Sequence, residues 1–121
     1  MTPSNLHSRP SQFIHYSEIQ PLEDVCGKIR EICSTPHISI AYLHLSGMAK
    51  PHLHKVMEEF YHITKGEGYL TLGKEKHPIG EGDTITIPKN VIHFLETDPE
   101  KTIEVLVITY PRYNREDLIV V

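Results

Sequence analysis

His52 and His54 stand two residues apart in Pro51-His52-Leu53-His54, a stretch that reads as extended chain. Residues i and i+2 of a strand share a face, so the two imidazoles point the same way. Each neutral imidazole offers one nitrogen lone pair, which is what a transition metal takes from a protein. Two carboxylates follow, Glu58 and Glu59, after a turn expected at Lys55-Val56-Met57. One parity groups Glu59 with Tyr61 and Ile63, the other Glu58 with Phe60 and His62. Parity alone leaves either carboxylate open as a ligand. His93 comes after a further hairpin and the Pro88-Lys89-Asn90 turn, where a returning strand opens. In a two-sheet barrel that strand can lie beside the one carrying His52 and His54. Three imidazoles and a carboxylate would leave open positions on an octahedral ion. That is a catalytic arrangement, because structural zinc sites close all of theirs. Imidazole and carboxylate suit Fe, Mn, Ni, Co or Zn without choosing among them. Tyr61 has the parity to reach the same cavity as a hydrogen-bonding or acid/base group.

Short strands and turns must position these residues. Ile38 to Leu45, Glu59 to Thr64, Tyr69 to Leu72, Thr84 to Ile87, Val91 to Glu96, Ile103 to Tyr110 and Leu118 to Val121 are apolar or alternating runs. Gly47, Lys65-Gly66, Gly73-Lys74 and Gly80-Glu81-Gly82-Asp83 punctuate them. Turn signals at this spacing indicate an all-β sandwich or barrel. Lys28 to Cys33 looks extended after Gly27, although a partial helix is an alternative over Pro21 to Ile32, against the helical cost of Gly27. Residues 1–20 read as an N-terminal arm punctuated by Pro3 and Pro10, and 21–121 as one β domain.

The chain has 121 residues, enough for one core and not two. With 12 basic and 16 acidic side chains and no basic cluster, nucleic acid and anionic membranes gain no electrostatic support as partners. No apolar run is long enough for a membrane helix, and the polar N-terminus does not read as a secretory signal, so the expected location is cytoplasmic. Cys26 and Cys33 are expected to stay reduced there. The nine histidines include no consecutive run, so they do not read as a tag. His7, His15, His37 and His77 are read as structural or solvated. His44 and His62 are open to a supporting role beside a metal. Arg112 or Arg115, in a polar loop before the last strand, could meet an anionic substrate.

Two motifs run through the segment from Gly47 to Thr97. The first comprises Gly47, His52, His54, Glu59 and Gly66; the second comprises Gly82, Pro88 and His93. With these residues the chain resembles the cupin superfamily, and within it the small single-domain type similar to mannose-6-phosphate isomerase. The match departs from the family pattern in three places: the spacer between Gly47 and His52 is one residue short, Asn90 replaces a glycine, and Thr97 replaces a closing asparagine. Asn tolerates the left-handed turn that the glycine would supply. The gap to Gly66 favours Glu59 over Glu58.

The resemblance implies an all-β cupin double-stranded β-helix, a jelly-roll barrel, in a single domain. It implies a divalent metal on His52, His54, Glu59 and His93, a small-molecule substrate at the barrel mouth and a homodimer. Glu59 and Tyr61 are the expected catalytic residues. The expected activity is a metalloenzyme acting on a small oxygenated substrate, of isomerase, epimerase or lyase type. An Fe-dependent dioxygenase and a non-catalytic small-molecule-binding cupin are the alternatives.

Overall fold

A computed structural model describes residues 9–121. Eleven strands appear among them: β1 (Leu22–Asp24), β2 (Gly27–Ser34), β3 (Ser39–Leu45), β4 (His52–His54), β5 (Glu58–Lys65), β6 (Glu67–Leu72), β7 (Glu75–Gly80), β8 (Thr84–Ile87), β9 (His93–Glu96), β10 (Ile103–Tyr110) and β11 (Leu118–Val120). They form two antiparallel sheets, ordered β1-β2-β3-β10-β5-β8 and β11-β4-β9-β6-β7. This is the jelly-roll arrangement in a single domain. It is two sheets packed over one core rather than a ladder closed on itself, so the expected barrel is open along its seams.

Burial alternates along β3 and β10, and along β5 as far as Ile63, as the β-branched and aromatic alternation of their sequences requires. Leu43, Ile63, Ile103 and Val105 are completely buried on the first sheet, and Leu70, Ile79 and Leu95 meet them from the second. Gly66 links β5 to β6 and thereby carries the chain from one sheet to the other. Its φ is +86°, and a Cβ there would lie 2.6 Å from the Thr102 carbonyl oxygen. Only glycine satisfies both conditions without strain.

The partial helix over Pro21 to Ile32 does not form. Gly27, at φ +128°, turns the chain into a β1–β2 hairpin, and β2 then pairs along β3. Strand pairing supplies the backbone hydrogen bonds that a short glycine-interrupted helix would have to find alone. β7 was not anticipated, because its sequence is polar and contains Pro78. It lies at a sheet edge, where a missing N–H is tolerated. The last motif strand begins at His93 rather than Val91.

Of the arm expected over residues 1–20, residues 1–8 lie outside the described part. Residues 9–20 are irregular apart from a 3-10 turn at Tyr16–Glu18. Arg30 Nε donates to the Ile19 carbonyl at 3.1 Å, and the Tyr16 ring packs on Tyr42, with centroids 5.5 Å apart. No helix among the described residues is long and apolar enough to cross a membrane.

Candidate metal centre

β4 presents His52 and His54 inward with Leu53 between them facing away, as a two-residue period dictates. β9 runs antiparallel beside it and sets His93 directly opposite His52. β5, in the other sheet, turns Glu59, Tyr61 and Ile63 to the interior. Glu58 takes the opposite face and is only partly buried. The four side chains His52, His54, Glu59 and His93 are all buried, and one ligand atom from each lies within 4.8 Å of the others.

The imidazoles are oriented by backbone carbonyls. Nδ1 of His52 donates to the Lys50 carbonyl at 2.8 Å, Nδ1 of His93 to the Val91 carbonyl at 3.0 Å, and Nδ1 of His54 to the Asp117 carbonyl at 3.1 Å. Each ring therefore turns Nε2 toward the centre. One carboxylate oxygen, Glu59 Oε1, lies 3.0 Å from Nε2 of both His54 and His93. With the Nδ1 protons committed outward, lone pairs converge on lone pairs. That geometry is repulsive unless protons or a cation occupy the centre, so the donor set fits a divalent transition metal.

Burial, reinforced by the neighbouring His93, lowers the His52 pKa to about 4. For His54 burial also opposes protonation, but the Glu59 carboxylate and the Asp117 carbonyl outweigh it and the pKa is raised. Glu59 is lowered to about 2, because its hydrogen bonds to His54 and His93 overcome the burial that opposes ionisation. In the metal-free protein the His54 interaction stabilises the fold fully below the ordinary value of 6.5 and is lost as pH rises through its raised pKa. His52, buried neutral, acts the other way: its contribution is lost as pH falls from 6.5 through about 4. Metal loading at a pH below the raised His54 pKa is accordingly expected to release a proton from that ring. Calorimetry in buffers of different ionisation enthalpy reads this release directly, and zero release would show that His54 is already neutral.

The cluster borders a cavity of about 170 Å³, which His52, His54, Glu59 and Tyr61 all reach, while His93 backs them. Tyr61 is 2% exposed and sets its ring edge-on to His93, with centroids 6.1 Å apart. Burial, with Glu59 nearby, holds its phenol well above the ordinary value. Of the other candidates, Arg115 reaches the cavity wall, whereas Arg112 pairs with Glu31 at 3.4 Å. His44 faces Glu104 at 3.1 Å and His62 bonds the Thr84 hydroxyl at 2.8 Å, both on the outer side of their sheet. Cys26 and Cys33 are free thiols.

Asp117 and Cys26 contribute without having carried a site signal in the sequence, and Asn90 contributes beyond its turn. Asp117 orients His54 through its carbonyl, and its carboxylate accepts the N–H groups of Lys55, Val56 and Met57 at 2.9–3.1 Å, fixing the turn between β4 and β5. Asn90, at φ +68°, donates its N–H to the His54 carbonyl. Cys26 also lines the cavity; burial, then the Asp24 and Glu59 carboxylates, push its thiol up to about 12.

Comparison with known proteins places these residues in a wider set. An uncharacterized protein of Methanocaldococcus jannaschii is 39% identical over 66 residues, 54% of this chain, and the chain matches about half, 53%, of that relative's length. An uncharacterized protein of Aquifex aeolicus is 31% identical over 109 residues, covering 83% of this chain and 89% of its own. Among solved structures, Pac13 of Streptomyces, described as a unique nucleoside dehydratase, superposes with a TM-score of 0.78 at 19% identity, over 90% of this chain and 89% of that one. The family model for the cupin domain matches residues 40–109, which hold all four converging side chains. The chain is a member of the cupin family.

Proposed function

We propose that this cupin is a metal-dependent enzyme acting on a small oxygenated molecule, with chemistry of the isomerase, epimerase or lyase type. The observation that carries the reading is the convergence of three Nε2 atoms and one carboxylate beside a cavity. His52, His54, Glu59 and His93 would hold the ion. A divalent transition metal bound there supplies Lewis-acid polarisation of a substrate oxygen.

The chain's own residues do the remaining work. The carbonyls of Lys50, Val91 and Asp117 fix the imidazole orientations before any substrate arrives. Tyr61 keeps its proton at any ordinary pH and so acts as a hydrogen-bond donor or acid on the cavity wall. Leu43, Ala41 and Val107 line the same cavity and make that part of its wall apolar. The dehydratase description of Pac13, a protein of the same fold, supports lyase-type chemistry as one member of the proposed class. A homodimeric assembly and a cytoplasmic location belong to the same proposal.

Metal analysis of protein purified without an affinity tag tests it first, with about one transition ion per chain expected. A chelator should then lower the melting temperature by at least about 5 °C through mass action. Absence of metal together with an unmoved melting temperature would overturn the reading. Oxygen uptake after anaerobic iron loading separates the proposed class from a dioxygenase.

A further inference from the structure

The cavity beside the cluster has two chemically different parts. Most of its wall is apolar, contributed by Ile19, Leu22, Ile29, Leu43, Val107 and Leu118. Away from the metal ligands its polar lining comprises Gln20, Glu31, Ser39, Thr109 and Arg115 and, joined to each other, a pair drawn from opposite ends of the chain. Tyr113 Oη donates to Asp24 Oδ2 at 3.0 Å, and both residues line the cavity. Asp24 Oδ1 is held by the Val25 N–H at 2.8 Å, and the Tyr113 N–H is held by the Ser39 hydroxyl at 2.9 Å. The pair is thus fixed from both sides.

Its hydrogen-bonding capacity is one-directional. Burial, with the Asp24 carboxylate alongside, keeps the Tyr113 phenol protonated, and that proton is committed to Asp24. What remains is acceptor capacity: carboxylate lone pairs and a phenolic lone pair. The pair therefore accepts from a ligand O–H or N–H and offers nothing to an anion. Charge on the wall points the same way. Among the described residues of the wall, Asp24, Glu31 (paired with Arg112 at 3.4 Å) and Glu59 are carboxylates, against the exposed Arg115 as the one permanently cationic group. A phosphate dianion would find no buried Lys or Arg among the described residues of the wall to offset the Asp24 carboxylate at this end of the cavity.

The geometry points to a substrate class: a compact, mostly apolar hydroxy-carbonyl compound, its hydroxyl received by the Asp24–Tyr113 pair and its body packed on the aliphatic wall, rather than a phosphorylated sugar. A cavity of about 170 Å³ matches a single small ring or a short branched chain. This inference rests on the proposed function for the role of the metal. The pair's preference for a hydroxyl donor stands on its own geometry.

The test uses 2-hydroxyacetophenone, its hydroxyl-free analogue acetophenone, and mannose 6-phosphate, each titrated calorimetrically into the full chain with metal content measured in every sample. The hydroxyketone is expected to bind at least about tenfold tighter than acetophenone, since a hydrogen bond to a charged acceptor is being read. Asp24→Asn should remove most of that preference while leaving acetophenone affinity and metal content unchanged; Tyr113→Phe, which leaves the carboxylate in place, should alter it less. Equal affinity for the two ketones, a preference that survives Asp24→Asn, or tighter binding of mannose 6-phosphate would each overturn the inference. Wild-type protein that never takes up metal would sink the metalloenzyme reading alone. The ketone comparison in that same sample still decides the hydroxyl site.

Discussion

Glu59→Gln is expected to reduce metal affinity by more than roughly 100-fold, whereas Glu58→Gln leaves it within about twofold of wild type. Loss of an outer partner of a metal ligand already costs about 10–100-fold, and Glu59 is the sole carboxylate in the cluster itself. The amide keeps the shape of the side chain but not its charge, so three neutral imidazoles are left to hold a divalent ion. Glu58 lies one residue away, on the opposite face of β5, and serves as the control for the substitution chemistry. His93→Ala should resemble Glu59→Gln, because it removes the only ligand that β9 contributes. The measurement is metal content after dialysis against a weak competing chelator, with circular dichroism confirming that each variant retains its β structure. Equal losses at Glu58 and Glu59 would mean that the register of β5 is wrong by one residue.

Gly66→Ala should destabilise the protein by about 3 kcal/mol, the sum of a left-handed backbone and a forced contact. At φ +86° an added methyl group meets the Thr102 carbonyl oxygen at 2.6 Å and Ile103 Cα at 3.2 Å. These are backbone atoms of the segment entering β10, the strand between β3 and β5 in the first sheet, and they have little freedom to yield. Gly82→Ala is the matched comparison. Its φ is +89°, but nothing lies within 4 Å of an added Cβ, so only the backbone cost of about 1 kcal/mol applies. Urea denaturation should show both midpoints lowered with the slope unchanged, and the Gly66 variant lowered clearly further. Equal shifts would show that the Thr102 segment gives way.

The parts of the site visible in the sequence are those set by period and spacing. His52 and His54 face one way because a strand alternates, and the parity that groups Glu59 with Tyr61 and Ile63 is the one the structure shows. Asn90, which stands where the family pattern has a glycine, occupies the left-handed turn that asparagine tolerates. What stayed hidden is of two kinds. The carbonyls that aim the imidazoles belong to groups every residue possesses, so Lys50, Val91 and Asp117 carry no mark of that duty. Asp24 and Tyr113 are 89 residues apart, and only tertiary folding brings an ordinary acid and an ordinary phenol together. β7 was obscured by Pro78, and β1 by its brevity and the glycine that follows, which made a broken helix an alternative.

The turn between β4 and β5 has its hydrogen-bond partners in Asp117, and β4 pairs with β11, whose Leu118 lies opposite His54. During synthesis a ribosome delivers His52, His54, Glu59 and His93, with Lys50 and Val91, before it delivers Asp117, which aims His54 and braces the turn. A metal held by these side chains would thus be gripped with all three imidazoles aimed only once the segment carrying Asp117 has docked.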